Sequence, residues 1–128
     1  MKYLLDTHIF LWWNLGKGQL SERIIGIISD GENEIFLSAA SAWEIAIKVA
    51  KKKLTLPEEP VRFVPSRMQY HGFQPLPIQI HHATGVHQLP MHHTDPFDRL
   101  LIAQSRFESM PLLSADANIR RYDLEVIW

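Results

Sequence analysis

The sequence contains no cysteine, and this absence excludes two kinds of structure. A disulfide framework is impossible, and so is a zinc site with thiolate ligands. No apolar run approaches the ~20 residues that a membrane-spanning helix needs. The N-terminal segment reaches Asp6 before an apolar region of signal-peptide length has formed, so we expect no signal peptide. Together these absences favour a cytoplasmic protein with no membrane contact.

A strong excess of one charge is missing as well. The chain has 13 Lys and Arg residues against 14 Asp and Glu residues, which gives a net charge of −1. This balance argues against a protein that coats nucleic acid nonspecifically. If four of the acids are metal ligands, however, basic residues outnumber the remaining acids. A basic surface around an acidic pocket is compatible with a substrate that carries phosphate.

The length of the chain suits one domain. It has 128 residues, of which 46% are hydrophobic, and this is enough for a single buried core. The sequence shows no internal repeat, low-complexity segment or linker. We therefore expect one domain that covers residues 1–128.

Short apolar segments alternate with helical patterns along the whole chain. Strands are predicted at residues 2–6, 34–38, 73–76, 111–114 and 124–128. Helices are predicted at residues 7–14, 22–30, 39–53, 61–70, 80–88 and 96–107, with one helical turn between residues 115 and 121. This alternation predicts an α/β fold, with a parallel sheet that helices cover on both faces.

Four acids fall near the predicted carboxyl ends of strands. Asp6 ends the first strand, and Glu44 lies early in the helix after the second strand. Asp98 lies in the first turn of the helix that leads into the fourth strand, and Asp116 follows that strand by two residues. Sites in open α/β folds gather at the carboxyl ends of the strands. The sequence therefore predicts that these carboxylates line one cleft.

Each acid also has an ordinary structural explanation. Asp6 can cap the next helix, residues 41–44 match a capping box, Asp95 and Asp98 suit a helix start, and Asp116 suits a turn. Four such acids at one edge nevertheless favour a site, because like charges at close range are tolerated only with a cation present. Oxygen ligands without cysteine suit Mg²⁺ or Mn²⁺ rather than zinc. Two such ions can hydrolyse a phosphodiester by activating water.

Histidines are concentrated in one short region. They are His81, His82, His87, His92 and His93. No acid with ligand spacing accompanies them in the sequence, so we expect a structural or surface role rather than a metal site.

Four motifs in a fixed order resemble the PIN domain, and more narrowly the VapC-type toxins of bacterial type II toxin–antitoxin pairs. They are residues 4–8 (LLDTH), 38–48 (SAASAWEIAIK), 95–104 (DPFDRLLIAQ) and 113–116 (LSAD). The resemblance extends from residue 2 to the C-terminus.

The resemblance implies a parallel, roughly five-stranded sheet in a three-layer α/β/α sandwich. It also implies an endoribonuclease that uses one or two Mg²⁺ or Mn²⁺ ions, forms a homodimer and is inhibited by a small antitoxin. Three alternatives remain open: a non-catalytic module that binds nucleic acid or protein, a receiver-like Mg²⁺-binding phosphoacceptor domain, and a DNA nuclease.

The family's acids carry over to the positions that match its motifs. The catalytic and metal-binding set is Asp6, Glu44, Asp98 and Asp116. Thr7 and Ser114 match the family's small hydroxyl residues near the metal. The family commonly has one Asp before the Leu-Ile-Ala run whereas this chain has two, so Asp95 is interpreted as a cap or an outer contact.

Two basic residues complete the predicted site. Arg99 follows Asp98 directly, and we expect it to pair with an acid or to touch phosphate. Lys48 belongs to a lysine-rich helix end, which either binds an RNA backbone or is a solvated end favoured by the helix dipole.

Overall fold

A five-stranded parallel sheet forms the centre of the protein. The computed structural model describes all residues from Met1 to Trp128. The strands are β1 (Lys2–Leu5), β2 (Glu34–Ser38), β3 (Gln74–Leu76), β4 (Leu112–Leu113) and β5 (Val126–Ile127). Their order in the sheet is β3-β2-β1-β4-β5, and every neighbouring pair is parallel. The predicted parallel sheet is confirmed.

Six α-helices connect the strands. They are α1 (Thr7–Leu15), α2 (Glu22–Ser29), α3 (Ala39–Ala50), α4 (Pro60–His71), α5 (Ile80–Gly85) and α6 (Pro96–Glu108). Short 3₁₀ turns lie at Val86–Gln88 and Ile119–Arg121. None of the helices combines the length and the apolar character that crossing a membrane requires.

The hydrophobic core is divided between the two faces of the sheet. In β1, Tyr3 and Leu5 belong to one buried cluster, and Leu4 belongs to the other. Leu113 and Leu112 of β4 divide in the same way. Side chains alternate between the faces of a strand, so each cluster packs under helices on its own side. The three-layer α/β/α arrangement is therefore confirmed.

Several predicted boundaries were wrong by a few residues. Helix α3 ends at Ala50 rather than at residue 53, because the chain turns there and Lys52 has a φ of 58°. The segment predicted as a helix at residues 80–88 is divided into α5 and a 3₁₀ turn. Pro65 lies inside α4 without ending it. The fourth and fifth strands are shorter than predicted.

A buried amide connects α6 to two strand ends. Gln104 is fully buried in α6, and its Nε2 donates to the carbonyl of Pro77 just after β3 at 3.3 Å. The hydroxyl of Ser38, at the end of β2, donates to Gln104 Oε1. Ser38 is also the N-cap of α3, since its Oγ accepts a hydrogen bond from the Ala40 amide at 3.0 Å. One side chain thus joins β2, β3 and both helices that carry acids.

Gly18 is expected to resist substitution because its conformation and its surroundings both require glycine. Its φ is 73°, and a methyl group there would lie 2.5 Å from Cδ2 of the Trp12 indole. We expect Gly18→Ala to lower the free energy of unfolding by ~1–3 kcal/mol. Gly26→Ala, in the open middle of α2, is the matched control and should raise it by up to about 1 kcal/mol. Denaturant unfolding measures both free energies. A Gly18→Ala variant as stable as the parent would contradict the close contact between Gly18 and the Trp12 indole.

Candidate active site

Four acids lie at the carboxyl edge of the sheet, as predicted. Asp6 follows β1 and is 2% exposed, and Glu44 lies in α3, which follows β2 directly, and is 4% exposed. Asp98 lies in the first turn of α6 and is 9% exposed, while the half-buried Asp116 follows β4. Because all the strands are parallel, these positions share one edge.

The pKa of Asp98 shows that the acids act on one another. Burial is the main cause that raises this pKa, from 3.8 to about 8. The negative charges of Asp95, Asp6, Asp116 and Glu44 raise it further, in that order. The structure thus brings all the predicted acids within electrostatic range of one carboxylate, and in the absence of a cation the raised pKa favours the protonated form of Asp98 near neutral pH.

Glu44 has one satisfied and one unsatisfied oxygen. Its Oε2 lies 3.1 Å from Lys48 Nζ, one turn further along α3. Its Oε1 is buried and has no hydrogen-bond partner. A buried carboxylate oxygen without a partner is costly unless a cation completes its surroundings. The donor set of carboxylates and hydroxyls therefore fits a hard divalent cation.

The capping box that offered a structural explanation for residues 41–44 does not form. The N-cap of α3 is Ser38, three residues earlier, so Ser41 and Glu44 both lie inside the helix. Ser41 is fully buried and accepts a hydrogen bond from Thr7 Oγ1 at 2.8 Å. Glu44 is consequently not a capping residue, and Thr7 contacts α3 rather than an acid.

Asp6 is held by its neighbours in the fold. Ser114 Oγ donates to Asp6 Oδ2 at 2.7 Å, and it accepts from the Asp116 amide at 3.0 Å. Ser114 therefore links the two acids that follow β1 and β4. The sequence predicted it near the metal, and it lies beside two of the predicted ligands. Asp6 also caps α1, because its Oδ1 accepts from the amide of His8 at 3.4 Å. The cap and the hydrogen bond from Ser114 use different oxygens of this carboxylate.

Asp95 and Asp116 have the structural roles that were predicted for them as alternatives, a helix cap and a turn residue. Asp95 is the N-cap of α6, where its Oδ1 accepts hydrogen bonds from the amides of Phe97 at 2.9 Å and Asp98 at 3.0 Å. The prediction that Asp95 caps this helix is confirmed. Asp116 Oδ1 accepts from the amide of Asn118 at 2.8 Å, as in an ordinary turn.

Arg99 does not contact an acid, so the expectation that it pairs with one is wrong, while its contact with phosphate stays a prediction. Its buried guanidinium donates to the Pro90 carbonyl at 2.8 Å and to Tyr122 Oη at 3.0 Å, and it also reaches the carbonyls of Val86, Leu89 and His93. Successive residues of a helix point about 100° apart, so Arg99 leaves the cleft that Asp98 enters. Its role is to hold the segment before α6.

Two histidines near the acids were not assigned to the site from the sequence. His93 Nε2 lies 3.4 Å from Asp98 Oδ2. His8 Nδ1 lies 3.8 Å from Asp6 Oδ1, and the hydrogen bond with Asp6 raises the pKa of His8 despite the opposing effect of burial. The only signal for His8 was its position two residues after Asp6. His93 lies in an irregular segment without periodicity, so no pattern pointed to it.

A second cluster of possible ligands lies away from these acids. His81, His82 and Glu108 bring their donor atoms within 4.8 Å of one another, so the expectation that no acid joins these histidines is wrong. Glu108 comes from the end of α6, which packs on α5. However, His82 Nδ1 accepts from the Gln79 amide at 3.0 Å. Nε2 of a neutral His82 then carries the proton and donates to Glu108 at 2.8 Å, which leaves no lone pair for a metal. The structural role predicted for this region is retained.

An open cavity adjoins Asp6 and Asp116. It has a volume of about 240 Å³ and is lined by Asp6, His8, Ile9, Trp12, Ala115 and Asp116. Two of the four acids thus line this cavity, although Asp6 itself is only 2% exposed.

The fold and the site together define an α/β protein with an acidic cleft at the carboxyl edge of a parallel sheet. A sequence model of the PIN domain matches residues 3–125. The chain therefore belongs to the PIN domain family. The receiver-like alternative is wrong, since receivers have the strand order 2-1-3-4-5 and this sheet has the order β3-β2-β1-β4-β5.

Individual relatives agree with this assignment. Ribonuclease VapC16 of Mycobacterium tuberculosis is 47% identical over 62 residues, which are 48% of this chain and 43% of that protein. The match thus spans less than half of that relative. VapBC2 from Rickettsia felis, bound to a DNA fragment from its promoter, covers 98% of this chain and 97% of its own at 15% identity, with a TM-score of 0.69. FitAcB from Neisseria gonorrhoeae covers 100% and 97% at 21% identity, with a TM-score of 0.66. These two structures share the fold.

Proposed function

We propose that this chain is a Mg²⁺- or Mn²⁺-dependent endoribonuclease that acts as the toxin of a toxin–antitoxin pair. The observation that carries the proposal is the convergence of Asp6, Glu44, Asp98 and Asp116, with Glu44 Oε1 buried and unpaired. The name of the relative VapC16 as a ribonuclease supports the choice of RNA as substrate. In this proposal residues 1–128 form one nuclease domain.

The same four carboxylates are proposed to hold one or two divalent ions. When bound, such an ion would supply the activation of a water molecule and the stabilisation of charge in hydrolysis of a phosphodiester. No side chain of this chain is required as a covalent nucleophile. Ser114 keeps Asp6 and Asp116 together through its two hydrogen bonds, and Asp98 must lose its proton before it can serve as a ligand.

Lys48 is proposed to assist near the substrate. Its ammonium group lies at the edge of the cleft, 3.1 Å from Glu44 Oε2, and the side chain is 34% exposed. An ammonium group in this place balances part of the negative charge that would otherwise repel an RNA phosphate. The other lysines at the end of α3 lie on an exposed turn and extend this basic surface.

The remaining proposals concern partners and location. We propose that the protein acts in the cytoplasm as a homodimer and is inhibited by a small antitoxin. The likeness of the fold to VapBC2 and FitAcB supports an antitoxin partner. Growth arrest on expression, relieved by co-expression of one small neighbouring reading frame, is the expected result in cells.

RNA cleavage by the purified protein tests the catalytic proposal. We expect cleavage of single-stranded RNA with Mg²⁺ or Mn²⁺, and no cleavage with EDTA or with Glu44→Gln. DNA of the same sequence serves as the matched substrate, and preferential cleavage of DNA would identify a DNA nuclease instead. If Mg²⁺ changes neither cleavage nor the melting temperature, the protein is a binding module without a metal site.

A further inference from the structure

The ring of His93 lies between Asp98 and Tyr122, outside the set of acids. Its Nδ1 is 2.7 Å from Tyr122 Oη, and its Nε2 is 3.4 Å from Asp98 Oδ2. The histidine side chain is 13% exposed, and that of Asp98 is 12% exposed. The ring therefore connects a buried phenol directly to one oxygen of a proposed ligand.

The hydrogen-bond partners of Tyr122 determine which nitrogen of His93 carries the proton. A phenol oxygen has two lone pairs and one hydrogen. Arg99 donates to this oxygen at 3.0 Å, and the backbone amide of His93 donates to it at 3.2 Å. Both lone pairs are then occupied, so the phenol is a donor, and its one hydrogen has two acceptors within reach. They are Nδ1 of His93 at 2.7 Å and the His93 carbonyl at 3.4 Å, and the much shorter contact with Nδ1 takes the hydrogen. Nε2 of the neutral ring therefore carries the proton and donates to Asp98 Oδ2.

Arg99 and Tyr122, at the end of this chain of hydrogen bonds that lies away from Asp98, are buried and held by several contacts. Arg99 is 6% exposed and Tyr122 is 4% exposed. Four backbone carbonyls between residues 86 and 93 hold the Arg99 guanidinium, and Arg121 donates to the carbonyl of His92 at 2.8 Å. The orientation of the phenol is consequently set by groups that do not touch the cleft.

We infer that Tyr122 and Arg99 are positioning residues which, through the Nε2–H tautomer of His93, fix Oδ2 of Asp98 for cation binding. The cation-binding part rests on the proposed function. Hydrogen bonds to ligating carboxylates orient them, and loss of such a partner typically weakens metal binding by ~10–100-fold. This assigns a role to a C-terminal residue that lies far from Asp98 in the sequence.

The tautomer of His93 gives a test that needs no metal. In ¹⁵N NMR of the metal-free protein, we expect the His93 Nε2–H form in the parent and a mixture of forms in Tyr122→Phe. Tyr70→Phe removes a phenol hydroxyl from a residue that is 76% exposed and should leave His93 unchanged. An Nδ1–H form in the parent, or an unaltered tautomer in Tyr122→Phe, would overturn the inference.

Calorimetric titration with Mn²⁺ tests the effect on Asp98. We expect Tyr122→Phe and His93→Ala to weaken Mn²⁺ binding by ~10–100-fold, and the double variant to be no weaker than His93→Ala, because both act along one path. His93→Gln, which keeps a donor near the Nε2 position, should restore part of the affinity. If the parent binds Mn²⁺ and cleaves RNA but Tyr122→Phe binds as Tyr70→Phe does, the positioning role alone fails. If the parent neither binds nor cleaves, the proposed function fails.

Discussion

Asp98→Asn is expected to abolish RNA cleavage while the fold remains intact. The substitution keeps the size of the side chain and removes the charge that a cation requires. A bound cation contributes several kcal/mol to the barrier reduction, and each 1.36 kcal/mol is a factor of ten, so we expect a loss of at least about 10³-fold. The measurement is the initial rate of cleavage of a labelled RNA, together with circular dichroism to confirm the fold.

The matched control is an Asp-to-Asn substitution at Asp30, which lies at the amino-terminal edge of the sheet, opposite the edge that carries the acids. Asp30 is exposed and follows α2, before the amino end of β2, and its Oδ1 accepts from the Glu32 amide as an asparagine oxygen also can. Asp30→Asn should therefore cleave at the parental rate. Parental cleavage by Asp98→Asn would show that this carboxylate has been misassigned.

Without metal ions, the protein is expected to lose stability as the pH rises. The pKa of Asp98 is raised to about 8 in the folded state, against 3.8 as its ordinary value. The folded protein then holds a proton that the unfolded chain has already released. This contribution to the free energy of unfolding is fully present below pH 3.8 and is lost as the pH rises towards 8. Between about pH 5 and pH 8 the loss is on the order of 3 kcal/mol.

Denaturant unfolding in EDTA at both pH values measures this loss. Asp98→Asn cannot titrate, so its stability should fall less over the same range, and it should be more stable than the parent at the higher pH. Mg²⁺ should stabilise the parent more at the higher pH, where the carboxylate is ionised and can bind it. If the free energy of unfolding falls equally for the parent and for Asp98→Asn between the two pH values, the burial and charge repulsion at Asp98 are contradicted.

The alternation of strands and helices could be predicted because each element follows a simple period. The strand segments are short and apolar, and the helical segments carry an apolar face. The positions of Asp6, Glu44, Asp98 and Asp116 near strand ends then followed from the parallel arrangement. The start of α3 at Ala39, directly after the strand that ends at Ser38, was also predicted correctly. What failed locally was the end of this helix, because the positive φ of Lys52 has no signal in a run of lysines.

The contacts of Arg99, His93 and Glu108 could not be predicted for a different reason. Each depends on which distant segment packs beside it. Arg99 is held by carbonyls of an irregular segment, and a single helix position does not show which side faces that segment. Glu108 meets His82 because α6 packs on α5, although 26 residues separate them. Periodicity describes one element at a time and carries no information about such pairs.

The buried amide of Gln104 ties together the two helices that carry Glu44 and Asp98. Because Gln104 contacts Ser38 and the Pro77 carbonyl, the rotation of α6 is tied to the end of β2 and to the start of α3. The helices that carry Glu44 and Asp98 are thereby set by contacts which do not involve either carboxylate. Conformational entropy is lost once, during folding, rather than again on binding. The carboxylates are thereby held close together in spite of their repulsion, and under the proposed function we expect a cation to bind with little movement of the backbone.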